Sequence, residues 1–257
     1  MTDKEKASNQ TASRIFNIME ILSRNLDGMT LMNIVEELGK PPKSSIYVIL
    51  KQMVNNRYVS YLEKEKIYKI GPALIRLSAV VMNEHTIQRH ARFFLEEISK
   101  VTGEDSFLGI LDGNRLQYID KVEGTQSIRV NISIGATRYL HSSSIGKLLL
   151  ANLSENEKKR IIEEEKLVPI TKNTITDTTQ LFNELSNIMK NGYSINNEES
   201  IEGVMGIAAP IRNNLNEVVA GICITLPVSR AVRNKESLIQ LVKNTAEEIS
   251  KQLAGSN

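Results

Sequence analysis

Hydrophobic residues recur at helical spacing through the first seventy positions and then give way to a mixture of periods. SRIFNIMEILSR places Ile15, Ile18, Met19 and Leu22 on one face of a first helix, expected to follow about ten frayed residues and to close at Asp27-Gly28. TLMNIVEEL opens a second helix with Thr30 as its N-cap and Leu31, Ile34, Val35 and Leu38 turned inward. Gly39 suits a sharp turn, and Pro41-Pro42 prevents the helix from running on. KSSIYVILKQMVNN then buries Ile46, Ile49, Leu50, Met53 and Val54, leaving Lys43, Ser44, Ser45, Tyr47, Val48 and Lys51 on or near the outer face. Tyr58 to Ile70 alternates as two strands around a charged tip, Glu63-Lys64-Glu65-Lys66. Helix, tight turn, helix and hairpin is the order of a winged helix-turn-helix, whose second helix fits the DNA major groove.

Beyond Gly71-Pro72, ALIRLSAVVMNE reads as an apolar linker helix carrying Leu74, Leu77, Ala79, Val80 and Val81. From His85 onward the pattern mixes helix and strand. HTIQRHARFFLEEISKVTG is a long helix ending at Gly103, and SFLGIL and RLQYIDKV form a hairpin through Asp112-Gly113-Asn114. SIRVNI is expected to add a strand. SSIGKLLLANL reads as a short buried helix, Ser154 to Glu157 as a capping box, and TTQLFNELSNIMKNG as an amphipathic helix stopped by Gly192. MGIAAPI and EVVAGICIT pair through Asn213-Asn214, and a last helix covers about Arg230 to Leu253. Hairpin-linked strands among helices define an α+β domain with an antiparallel sheet flanked by helices. The expected organisation is a winged helix-turn-helix over 11–71, a linker helix over 72–84 and a second domain over 85–254.

Charge strengthens the reading of the first domain. Residues 1–76 hold 12 Lys and Arg against 8 Asp and Glu, a net of +4, while the other 181 carry −2 of the overall +2. Between Lys40 and Lys69 there are 7 basic residues and 2 acids, the footprint of a phosphate-binding module. Short hydroxyls at Ser44 and Ser45 suit base edges or phosphates, Lys43 and Lys51 suit phosphates, and Tyr47 suits sugar or phosphate. Lys64 and Lys66 on the wing would reach the flanking backbone, and Thr30 and Val48 complete the DNA-facing set. The amino terminus is polar and no apolar run approaches a membrane span, so a cytoplasmic protein with no membrane partner is expected.

Candidate chemistry in the second domain is sparse. A single cysteine, Cys223, excludes an intramolecular disulfide and any multi-cysteine metal site. There is no phosphate loop, no dinucleotide turn and no helical pair of metal-binding histidines, so neither a metal nor a cofactor is expected. His85 and His90 read as surface residues; His141 precedes a run of serines but has no triad partner in view. Glu198-Glu199 and Glu163 to Glu165 read as solvated acids, and Cys223 as a core residue. A sensing role fits better. Small residues from Ser142 to Gly146 at a helix start would seat a carboxylate, with Asn196, Asn197 and the strand from Gly206 to Ala209 completing a cavity.

The order and spacing of KSSIYVILKQM, YKIGPALIRLS, YLHSSSIGKLLLANLSENE, GYSINNEES and GVMGIAAPIRNNLNEVVAGICIT resemble the IclR family of bacterial transcriptional regulators, from about Thr11 to Lys251. The resemblance implies a linker helix leading to a GAF-like effector domain, dimers or dimers of dimers, and palindromic or repeated operators of double-stranded DNA. It implies a regulator rather than an enzyme, most simply a repressor of a catabolic operon, governed by a small-molecule effector such as an organic acid. Carried onto this chain, the effector pocket would be lined by Ser143, Ser144, Ile145 and Gly146, by Asn196 on the next loop, by Val204 and Gly206, and by Cys223 and Thr225 on the last strand. Three departures stand out. Val48 replaces a frequent Arg, Asn196 an Asp found where small oxo-acids bind, and Gly206 a frequent Cys; the last two argue against a keto-acid effector and leave the pocket itself. Two other classes stay open on the residues alone: an enzyme with an appended DNA-binding domain, and a ligand-independent DNA binder whose second domain only oligomerises.

Overall fold

A computed structural model describes residues 3–77 and 86–255, with side chains from residue 10 in the first stretch and from 87 in the second. The chain divides into two compact units, Met1–Glu84 and His85–Asn257.

In the first unit, α1 (Asp3–Arg24) starts at Asp3 rather than after ten frayed residues. DKEKASNQTA contains no Pro or Gly, and its Lys, Glu, Ala and Gln are good helix formers, so nothing local delays the start. After a turn at Gly28 come β1 (Met29–Thr30), α2 (Leu31–Glu37), α3 (Lys43–Asn55), β2 (Val59–Leu62) and β3 (Ile67–Ile70). Thr30 has two tasks: it pairs with Ile67 of β3, and its hydroxyl accepts the Asn33 N–H at 3.3 Å as the N-cap of α2. The wing is therefore a three-stranded antiparallel sheet in the order β1-β3-β2, not a bare hairpin. Two residues are too few for β1 to announce itself by alternation. The turn between α2 and α3 passes through Gly39 and Lys40, both at positive φ (79° and 59°). Ile46, Ile49, Leu50 and Met53 enter a core with Ile18, Leu22, Ile34 and Val59, while Val54 is only partly buried. Residues 73–77 are helical; the rest of the expected linker helix, with Ala79, Val80 and Val81, lies outside the described residues, as does His85.

The second unit runs α4 (Thr86–Thr102), β4 (Asp105–Asp112), β5 (Arg115–Val122), β6 (Thr137–Tyr139), α5 (Ser144–Ala151), α6 (Glu155–Glu165), α7 (Thr178–Asn191), β7 (Ser194–Asn197), β8 (Val204–Arg212), β9 (Val218–Pro227), α8 (Val228–Ala231) and α9 (Lys235–Ala254). Its six strands form one antiparallel sheet in the order β6-β5-β4-β9-β8-β7. The two-residue period of the strands sorts the core onto two faces. Leu108, Ile207, Ile222 and Ile224 meet Leu95 and Ile98 of α4 and Val242 and Ile249 of α9. On the opposite face Phe107, Ala208 and Cys223 meet Ile145 and Leu148 of α5, Ile161 of α6, and Leu181, Leu185 and Ile188 of α7.

Three local readings are corrected. SIRVNI forms no strand: the chain returns to β5 further on, where Ala136 accepts the Tyr118 N–H and β6 takes the neighbouring position. Asn196 sits inside the edge strand β7 and not on a loop, paired with Gly206. The last helix is interrupted, a short α8 preceding α9. The capping box at Ser154 and Glu157 is complete, with both reciprocal hydrogen bonds formed.

Candidate DNA-binding and effector sites

On α3 the inward positions hold the helix against its own small core, which leaves the opposite face to solvent. Lys43, Ser44, Tyr47, Val48 and Lys51 are exposed there, Tyr47 and Val48 at 50% and 60%. The helix has no side-chain cap at its start, so its first-turn amides favour an anion. Ser45 differs from its neighbours: it is half-buried, and its hydroxyl accepts a 3.2 Å hydrogen bond from the Arg14 guanidinium of α1. Periodicity gave no hint of that contact, because Arg14 lies off the apolar stripe of α1. The Thr30 hydroxyl is spent on capping α2. Lys64 and Lys66 stand exposed at the wing tip, interleaved with Glu63 and Glu65.

Strand register organises the second site. Asn196, Gly206, Thr225 and Asp105 are cross-strand partners in sequence from β7 through β8 and β9 to β4. Ser194, Ala208, Cys223 and Phe107 form the next row on the same face. Above these rows lies the start of α5, capped by Ser143, whose hydroxyl accepts the Gly146 N–H at 3.2 Å and donates to the Tyr139 carbonyl at 3.2 Å. Two glycines let the helix sit this low. A Cβ on Gly206 would stand 2.8 Å from Ser144 Oγ, and one on Gly221 2.8 Å from Ile145 Cγ2.

The nine expected effector residues are thus brought to one region of the sheet face, but sealed. Ser143, Ser144, Ile145, Gly146, Asn196, Gly206, Cys223 and Thr225 are buried; Val204 alone is partly exposed. Burial pushes the Cys223 thiol up to about 12, against a lowering contribution from its hydrogen bond with Ser144. Asn196 is engaged by its own turn, where Oδ1 accepts the Glu199 N–H and Nδ2 donates to Ser200 Oγ, both at 2.7 Å. Among the described residues, three buried hydroxyls, Ser142, Ser194 and Thr225, have no hydrogen-bond partner. Asp105, which sequence reading overlooked, lies buried beside Thr225 and accepts the Gly124 N–H at 2.7 Å.

Glu199 overturns the reading of Glu198-Glu199 as solvated acids. It is buried, and its Oε1 accepts from Lys147 Nζ at 2.7 Å and from the Asn197 N–H at 3.2 Å. Lys147, on α5 immediately after Gly146, is 1% exposed and also reaches Glu184 at 3.1 Å. Burial raises the Glu199 pKa against the opposing pull of the Lys147 ammonium. A lysine within the apolar run SSIGKLLLANL was the available signal, since a buried ammonium demands a partner. In the other acidic run, Glu163 and Glu164 are exposed, while Glu165 is half-buried in a 2.6 Å ion pair with Arg115. His141 is buried, with Nε2 3.1 Å from the Val168 carbonyl, and burial lowers its pKa. Among the described residues no group of three His, Cys, Asp or Glu side chains could hold a metal, and no helix is long and apolar enough to cross a membrane.

A winged helix-turn-helix with an exposed cationic second helix, followed by an α+β unit with a small-residue seat, defines a DNA-binding transcriptional regulator with an effector domain. The chain belongs to the IclR family: the IclR helix-turn-helix domain matches residues 11–63, and the bacterial transcriptional regulator IclR C-terminal domain matches residues 79–251. It is 30% identical over 253 residues to the HTH-type transcriptional regulator KdgR of Dickeya chrysanthemi, covering 98% of this chain and 82% of that one. The KdgR of Escherichia coli K12 is 29% identical over 253 residues, covering 98% and 95%. Among solved structures, the IclR protein of Thermotoga maritima superposes with a TM-score of 0.79 at 33% identity, covering 95% of this chain and 98% of that one. An IclR homologue from Microbacterium hydrocarbonoxydans complexed with 4-hydroxybenzoate shares the fold, with a TM-score of 0.83 at 21% identity over 96% and 100%. The family and these relatives are regulators of transcription, not enzymes.

Proposed function

We propose that this chain is a cytoplasmic repressor of a catabolic operon, acting as a homodimer or a dimer of dimers and released from its operator by a small organic acid. The DNA-contacting set is Lys43, Ser44, Ser45, Tyr47, Val48 and Lys51 on α3, with Thr30 at the start of α2 and Lys64 and Lys66 on the wing. The effector-contacting set is Ser143, Ser144, Ile145, Gly146, Asn196, Val204, Gly206, Cys223 and Thr225. The winged helix-turn-helix spans 11–71, a linker helix 72–84 and the effector domain 85–254.

The observation that carries this reading is the convergence of the α5 start, with its small residues, on the sheet row Asn196–Gly206–Thr225. Backbone amides at a helix start favour a carboxylate, and the 4-hydroxybenzoate bound by a related protein has that group. The partnerless Ser142, Ser194 and Thr225 hydroxyls offer polar contacts that the closed site leaves unused. Because the seat is sealed, binding requires the wall to open, and a ligand shifts the chain only by preferring one arrangement over another. In a dimer the useful difference is the spacing of the two recognition helices.

A thermal-shift screen of sugar acids, aromatic acids and other carboxylates, followed by operator binding with each hit, tests the proposal. The expected result is a hit that raises the melting temperature and weakens operator binding. Burial of eight of the nine effector residues favours one rival, a second unit that only oligomerises. That rival wins if no acid shifts melting and operator affinity is constant throughout.

A further inference from the structure

Position 48 of the recognition helix is Val, exposed and uncharged, so α3 itself brings only Lys43 and Lys51 as cations to its outer face. A third cation comes from another helix. Thr11 and Ile15 of α1 line one groove with Val48, Ile49 and Gln52 of α3, so this turn of α1 runs beside the recognition helix. Arg14 lies in that turn, and its Nη1 donates to Ser45 Oγ in the first turn of α3. The next acid along α1, Glu20, pairs instead with Arg24 at 3.5 Å. Among the described residues Arg14 forms no ion pair, and Ser45, a neutral hydroxyl, leaves its charge unbalanced.

We propose that Arg14 is a DNA-contacting residue, held by Ser45 at the entrance of the recognition helix so that its guanidinium engages a backbone phosphate. A guanidinium is a planar fork with five donors, and Nη1 uses one hydrogen on Ser45. The Nε and Nη2 hydrogens are arranged to grip two oxygens of one phosphate. The contact also changes Ser45. Accepting a charge-assisted hydrogen bond polarises its hydroxyl and strengthens that O–H as a donor toward DNA. This arrangement supplies from α1 the charge that Val48 does not. It rests on DNA binding by the first unit and adds a residue that the groove-facing pattern of α3 does not contain.

Phosphate contacts are independent of sequence, so a mixed-sequence duplex of about 30 base pairs serves as the probe and no operator is needed. Binding to the full-length chain is read by fluorescence anisotropy across a salt series. Arg14→Gln is expected to reduce the slope of log affinity against log salt by about 0.9 for each protomer engaged on the duplex, the value for one lost phosphate contact per protomer. Arg24→Gln, at the other end of α1, is expected to leave the slope unchanged. A second measurement uses the unmutated chain: phenylglyoxal labelling read by mass spectrometry should show Arg14 protected by saturating duplex and Arg24 not. An unchanged slope in a folded Arg14→Gln chain, or Arg14 labelling indifferent to duplex, overturns the assignment and makes Arg14 a brace for Ser45. If the unmutated chain fails to bind duplex even at low salt, the DNA-binding role of the unit falls, and this assignment with it.

Discussion

Tyr47 and Lys51 stand in solvent on α3, whereas Ser144 and Thr225 are sealed between α5 and the sheet, although both sets belong to the contact surfaces proposed for their units. The contrast follows from the partners. DNA is a large, rigid polyanion that comes to a surface, so its readers can be long, charged and hydrated. A small effector must be surrounded, so its readers lie in the core, where small residues replace long ones and every polar group needs a partner. On the proposed assignments, most contact residues of the first unit lie outside its core, whereas those of the second lie within it.

Lys147 gives the strongest test. Replacing it with Ala leaves Glu199 buried without its cation, and the expected loss is about 3–5 kcal/mol in denaturant unfolding. A variant as stable as the parent would break the comparison at once. Gly221→Ala should cost about 1–3 kcal/mol, because the new methyl meets Ile145 at 2.8 Å in a packed wall. The same measurement detects it as a fall in midpoint at unchanged slope. Thr30→Ala removes the α2 cap and should lower stability by about 1 kcal/mol. That loss marks Thr30 as the first-unit exception, a residue of the DNA-facing set whose hydroxyl serves the fold.

Lys51→Ala should behave in the opposite way. Stability stays within about 0.5 kcal/mol, since the residue is exposed and outside the core. Duplex affinity falls and its salt dependence drops by about one counterion per bound protomer. Acid sensitivity is the smallest expected effect. Burial depresses the His141 pKa below 6.5, so the folded chain resists protonation more than the unfolded one. The stability this gives is complete above the ordinary imidazole value and is lost as pH falls through the lowered one. His141→Gln should therefore flatten the fall in melting temperature below about pH 6.5.

The first unit was legible because its signals are local. Ile46, Ile49, Leu50 and Met53 repeat at helical spacing within one helix, and the wing alternates within thirteen residues. β1 escaped notice because two residues make no pattern, and its pairing with Tyr68 and Ile67 is tertiary. In the second unit the general α+β layering could be read, yet the site could not. The Lys147–Glu199 pair joins residues 52 positions apart, and nothing near Glu199 distinguishes it from the exposed acids of α6. SIRVNI misled for the converse reason. Val130 and Ile132 are buried as a strand's would be, but the β5 edge is taken by Ala136 and β6. Asn196 is expected on a loop and lies instead in a strand, because the four residues of SINN carry little strand propensity.

Gly221 bears on how such a protein diversifies. A side chain at Gly221 would press on Ile145 and lift α5 from the sheet, whereas at Gly206 the close atom is the Ser144 hydroxyl, which can turn aside, so Gly221 is the position closed to variation. On the proposed reading of the seat, divergence toward a new inducer is channelled to positions such as Val204, Asn196, Gly206, Cys223 and Thr225, where a change alters the lining and keeps the helix seated. Descendants with unlike diets would then share the same distance between helix and sheet, and record their differences only around its rim.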